Sequence, residues 1–145
     1  MKISKFILAF LVGGMVGNAF AEPTKISCTV QSNLLGKNTI KIEFDDDKRK
    51  SIIINGDEVE SNIYGNHSSI DDGRALLREF NDTSIIFSIK KETVGSHQNL
   101  VTHDYYFTID REDGSVKLVY EKPFQGVSET SYGKCVKAED VVKKF

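Results

Sequence analysis

The 145-residue sequence has no tryptophan, and both of its methionines, Met1 and Met15, fall in the first 21 residues. The interior therefore has to be assembled from Ile, Val, Phe and Tyr. There are two cysteines and no Cys-x-x-Cys, which excludes the common dithiol redox motif. Basic residues are not in excess: 19 Lys and Arg stand against 21 Asp and Glu. A nucleic-acid partner needs a basic face to displace counterions, so that class of partner is not expected. There is no Gly-x-Ser-x-Gly elbow, no Asp-x-Asp-x-Asp-Gly loop, no internal repeat, no low-complexity stretch and no linker. No residue set rises to a catalytic or cofactor motif, so no enzyme activity, metal or cofactor is expected.

What is present begins with a leader. Residues 1–21 read MKISKFILAFLVGGMVGNAFA, with Lys2 and Lys5 ahead of an apolar stretch and Ala19-Phe20-Ala21 behind it. Small residues at the first and third places of that triplet fit the pocket of signal peptidase. The sequence thus predicts a signal peptide over 1–21, cleavage after Ala21, and a periplasmic or secreted product. The apolar run is shorter than the roughly 20 residues that a bilayer span requires. No stable membrane anchor is expected. The terminal Phe145 has Lys143, Val141 and Glu139 at alternate places before it, which breaks the pattern of an outer-membrane strand.

Residues 22–145 suit a single domain with one core. Of the 19 basic residues two leave with the leader, which gives 17 against 21 acids and a net charge of −4. This part holds 12 Ile and 10 Val against 2 Ala and 6 Leu. Branching at Cβ restricts χ1 and suits a pleated surface better than a helix. An all-β domain follows. In an oxidising compartment Cys28 and Cys135 pair, closing a loop of roughly a hundred residues worth about 4–5 kcal/mol in the chain-entropy model.

Period-two alternation marks the strands. Ile26, Cys28 and Val30 share one face; Ile40, Ile42 and Phe44 share the next. Residues 45–50 make a charged turn. Ser51 to Ile54 is a third strand, ending at the hairpin signal Asn55-Gly56. A fourth runs through Val59 to about Tyr64, and residues 65–73 read as a polar loop. Residues 74–80 fit a short helix or a strand entering a turn, and the strand that follows at Ile85-Phe87-Ile89 favours the hairpin. Residues 93–99 read as a second polar loop. Val101, His103, Tyr105, Phe107 and Ile109 share the apolar face of a long strand, continued by Val116, Leu118 and Tyr120. Pro123 breaks that strand, and a last one from Val127 to Val136 carries Cys135. The expectation is an antiparallel meander of seven to nine strands, a strongly curved sheet or small closed barrel, with the disulfide joining first and last strands.

The run Tyr105-Tyr106-Phe107-Thr108-Ile109-Asp110-Arg111, then Gly114, then Tyr132-Gly133-Lys134-Cys135, resembles the ending of small exported β-domain proteins of Gram-negative bacteria. The resemblance covers the last third of the chain and the first strand through Cys28. It implies a single antiparallel β domain with a cysteine near each end, and no particular activity. The inhibitory Ser-Ala-Ser-Gly-like loop of the periplasmic lysozyme inhibitors has no counterpart beyond Ser61-Asn62-Ile63-Tyr64-Gly65.

Other chemistry is thin. His103 and Asp104 are neighbours on a strand and point to opposite faces, so they cannot chelate one ion together. His103 reads as a hydrogen-bonded core or rim residue, and His67 and His97 as solvated. Glu58, Glu60 and Glu79 could pair for glycoside hydrolysis, but a chain with 21 acids offers many such pairs. A stapled scaffold with polar loops points to a non-enzymatic binding or inhibitory module that contacts another protein. The candidate contact residues are Asn66, His67, Asp71 and Asp72 in one loop and His97, Gln98 and Asn99 in the other. The alternative is a small barrel that carries an apolar ligand, which needs room left inside.

Overall fold

In the computed structural model, residues 22–47, 49, 51–60, 69–70 and 73–138 are described. The expected signal peptide and its cleavage point lie outside them. So do the stretch to Tyr64, the loop residues Asn66, His67, Asp71 and Asp72, and the tail from 139.

The alternating segments form strands and the turn signals separate them. The strands are β1 (Thr24–Ser32), β2 (Gly36–Phe44), β3 (Ser51–Ile54), β4 (Asp57–Glu60) and β5 (Ser69–Ile70). They continue with β6 (Gly73–Phe80), β7 (Ser84–Val94), β8 (Leu100–Asp110), β9 (Ser115–Lys122) and β10 (Val127–Lys137). Among the described residues the one helical element is a 3-10 turn, Pro123–Gln125, where proline stops β9. Asn55 and Gly56 both take positive φ, 52° and 98°, as a two-residue hairpin turn requires.

The order across the sheet is β4-β3-β2-β1-β10-β9-β8-β7-β6-β5, antiparallel throughout. First and last strands are therefore neighbours, as the disulfide requires. Cys28 lies directly opposite Cys135, with Cα atoms 3.8 Å apart. The sheet curls into a nearly closed barrel whose two outer strands, β4 and β5, are consecutive in the chain. Nine strands have four or more residues; β5 is a two-residue pairing with Gly73 and Arg74 inside the segment expected to be all loop. Residues 74–80 are strand. A bulge between Leu77 and Glu79 bends β6, which helps the sheet to curve.

One face of each strand fills the interior. Val30, Ile42, Ile54, Ile85, Phe87, Ile109 and Leu118 are at most 2 % exposed. Phe87 and Phe107, opposite each other on β7 and β8, stack at 4.8 Å. Strands β1 and β10 also approach closely at Gly133, opposite Val30. A Cβ there would lie 2.0 Å from the carbonyl oxygen of Thr29, so only glycine fits this clasped edge.

Hairpin turns alternate between two ends. The terminal end holds the turns after β2, β6 and β8, along with Thr24 and Lys137. Here the Arg111 guanidinium lies over the Phe44 ring at 4.9 Å and the Phe80 ring at 5.4 Å. It donates to the Asn81 carbonyl and to the Asp46 carboxylate, and the Arg111 amide donates to the Thr83 carbonyl at 2.8 Å. One side chain thus ties three turns together. The other end holds the turns after β1, β3, β7 and β9.

Candidate functional site

The site is built from the longest hairpin. β7 and β8 pair from Ser84↔Asp110 out to Val94↔Leu100. Their neighbours stop earlier: β6 pairs on β7 only as far as Lys90, and β9 on β8 only as far as Asp104. The last four rungs, Lys91↔His103, Glu92↔Thr102, Thr93↔Val101 and Val94↔Leu100, form a two-stranded arm. At about 3.4 Å per residue it extends roughly 14 Å beyond its neighbours. The loop expected over 93–99 is thereby shortened to residues 95–99. Most of the arm's side chains are polar, and Thr102 among them is buried.

The tip is ordered. The Gly95 amide donates to the Asn99 carbonyl at 2.7 Å, and the Gln98 amide to the Gly95 carbonyl at 3.0 Å. Gln98 takes φ 59°. His97, Gln98 and Asn99 are exposed at this tip. Just behind them Val94 and Leu100 face solvent, at 71 % and 66 % exposure.

Two further turns at the same end present apolar side chains. Phe124, in the 3-10 turn that packs against β8, is 88 % exposed. Leu34, in the β1–β2 turn, is 57 % exposed. Its backbone is held by Glu129 of β10. That carboxylate accepts from the Ser32 hydroxyl at 2.8 Å and from the amides of Asn33 and Leu34 at 2.7 and 3.0 Å. The Ser32 hydroxyl foremost, then these amides, hold the Glu129 carboxyl below its ordinary pKa.

Beneath the arm lies a polar and aromatic mouth. Tyr120 is buried, and its hydroxyl is 2.9 Å from His103 Nδ1; His103 Nε2 is 2.9 Å from the Thr93 hydroxyl. A neutral imidazole donates through one nitrogen and accepts through the other, so both hydroxyls are satisfied. His103 thereby joins the arm on β7 to the wall on β9. Burial first, then the Lys122 ammonium, lowers its pKa; Asp104 pulls the other way and Lys91 adds to the lowering. Tyr105 lies 5.1 Å from Tyr120, and burial raises its pKa. Among the described residues no group of His, Cys, Asp and Glu comes together as a metal site.

A rival cleft of about 310 Å³ opens at the terminal end, lined by Ile26, Phe44, Ile109, Arg111 and Cys135 among others. Two of its charged groups, Arg111 and Asp46, pair with each other.

Of the residues singled out in the sequence, the structure brings His97, Gln98 and Asn99 to the arm tip. Sequence reading missed Val94, Leu100, Leu34 and Phe124, whose exposure is a tertiary property. Phe124 carried one readable signal, a lone aromatic directly after a strand-breaking proline. Comparison of the chain with models of protein families, with curated proteins and with solved structures found no match.

Proposed function

We propose that the protein is a non-enzymatic binding or inhibitory module of an oxidising compartment, the periplasm or the outside of the cell, and that it grips another protein with the β7–β8 arm. One observation carries this reading: an ordered arm that projects past the sheet with Val94 and Leu100 exposed side by side behind its tip. Large apolar side chains on a rigid projection gain by being covered, and such positions dominate protein contacts. Leu34, on a turn held by Glu129, and Phe124, on the 3-10 turn against β8, extend the same rim. The packed interior supports this reading over a carrier of apolar ligands, because Phe87, Ile85 and Ile54 are fully enclosed by other side chains.

The test is site-specific photo-crosslinking in periplasmic extract and culture medium. A photoreactive residue at position 97 is expected to trap one discrete protein, competed away by excess unlabelled protein. The same residue at position 47, on the terminal end, is expected to trap none. Equal trapping from both positions, or none from either, removes the reading.

A further inference from the structure

We propose that the cleft at the terminal end, where Lys137 stands at the rim of an apolar floor of Ile26, Phe44, Ile109 and Cys135, binds an aliphatic carboxylate, with the alkyl chain on the floor and the carboxylate on the lysine. This goes beyond the reading of the arm, which lies at the opposite end of the barrel, and does not rest on it.

The floor follows from the strand register. Cys28 is buried opposite Cys135, so Ile26, two residues before it on β1, and Cys135 on β10 share the inward face. Phe44 ends β2 opposite Thr24, and Ile109 is the last buried residue of β8. Phe44 and Ile109 are 6 % and 2 % exposed, so the cleft reaches down to the packed layer and stops there. Deeper in the barrel Ile85, Phe87 and Leu118 fill the interior, so a ligand sits at this mouth and no further. The cleft volume is about 310 Å³. Small-molecule sites span roughly 300–1,000 Å³, so this one suits a single alkyl chain rather than a bulky ring system.

One lysine selects the head group. Lys137 is two residues past Cys135 and shares its face, and its cross-strand neighbour is Ile26, which offers it no charge. Among the described residues Lys137 has no ion pair, and the hydroxyl of Thr24, two residues before Ile26 on the same face, has no hydrogen bond. The acids nearby leave this lysine open. Asp46 pairs with Arg111. Asp110 follows Ile109 and alternates to the other face, where its carboxylate accepts from the amides of Glu112 and Asp113 at 2.8 and 3.2 Å. It stands two strands from Lys137, across β9, so its charge turns an anionic head toward the lysine. Glu22 lies on the same side as Lys137, outside the cleft, and does not pair with it. An ammonium and a hydroxyl at the rim of an apolar floor are satisfied together by a carboxylate that carries an alkyl tail.

The measurement is a methyl NMR titration of the full chain, above the carboxylate range so that every acid is ionised. The probes are butyrate, hexanoate, octanoate and decanoate below their micelle concentrations, with decyltrimethylammonium as the same chain under the opposite charge. Decanoate is expected to shift the Ile26 and Ile109 methyls saturably. Affinity is expected to rise about four-fold or more for each two methylenes from hexanoate to decanoate, since a partly covered chain gains part of the value of full burial. Lys137→Gln is expected to weaken decanoate about three-fold or more, as loss of an exposed ion pair does, with the amide spectrum unchanged. Decyltrimethylammonium is expected to bind more weakly still. The proposal is overturned by any of four results: no saturable shift, the same affinity at every chain length, equal binding of the cation, or indifference to Lys137→Gln. It is overturned equally if the Leu34 and Leu100 methyls at the arm end respond in place of Ile26 and Ile109. Crosslinking from the arm reports on the other end alone, so either reading can fall without the other.

Discussion

The two ends of this barrel use the same hairpins to opposite effect. At the terminal end, turns are drawn inward. Arg111 is stacked on Phe44 and Phe80 and bonded to Asn81 and Asp46, and the Cys28–Cys135 bond clasps β1 to β10 a few residues away. At the arm end, turns are held from below and present apolar groups outward. Glu129 fixes the backbone of the Leu34 turn while leaving the Leu34 side chain in solvent, and the arm carries Val94 and Leu100 clear of the sheet. One end stores stability; the other keeps order without burial. Exposed apolar groups on ordered backbone are what a binding surface has and a merely unfinished core lacks.

The comparison can be broken most severely at the clasp. Replacing Cys28 and Cys135 together by serine is expected to lower unfolding free energy by about 4–5 kcal/mol, since the bond closes a very long loop. Denaturant unfolding measures it. A loss far below that would mean the terminal end holds the fold by packing alone. Next comes Arg111→Ala, expected to cost about 2–3 kcal/mol by removing two ring contacts and the hydrogen bond to the Asn81 carbonyl. Arg111→Lys should recover less than half, because an ammonium cannot lie flat on the rings and reach both oxygens. Full recovery would show that charge alone matters there.

Glu129→Gln sharpens the comparison from the other end, with a smaller effect. Its carboxyl is held below the ordinary pKa, so the folded state binds the proton less readily than the unfolded chain. The stabilisation is complete above the unfolded value and is lost as pH falls through the folded one. The gap in thermal midpoint between the protein and its Gln variant should therefore narrow on acidification below the usual carboxylate range. A gap that is constant with pH would remove the carboxylate from the account of that turn.

Much of the terminal end and the core was legible in sequence, and the arm end was not, for physical reasons. Ile40, Ile42 and Phe44, or Ile85, Phe87 and Ile89, alternate because one side of each strand fills the interior. Two cysteines, one in the first strand of the pattern and one in the last, pointed to those strands as neighbours. Val101 and His103 carry the alternation of β8 out along the arm, but residues 91–94 lie past the last rung with β6 and show no apolar period. Asn99 and Gln98 looked like loop because they are the turn, while Thr93 and Val94 looked like loop though they are strand. Glu129 meets Ser32 across 97 residues, a distance at which local pattern says nothing. Gly133 carried a readable hint, since a glycine inside a strand often marks close backbone approach. Which strand approaches it was not readable.

The division of labour is tested most directly by comparing two variants side by side for stability and for partner trapping at position 97. Val94→Ser with Leu100→Ser should change unfolding free energy by only about 0.5 kcal/mol, as exposed substitutions do, and should abolish trapping. Arg111→Ala, assayed well below its lowered melting temperature, should trap as the unaltered protein does. Undiminished trapping by the Val94 and Leu100 variant, or its loss in Arg111→Ala while the fold is intact, would contradict the assignment of contact to the arm and stability to the opposite end.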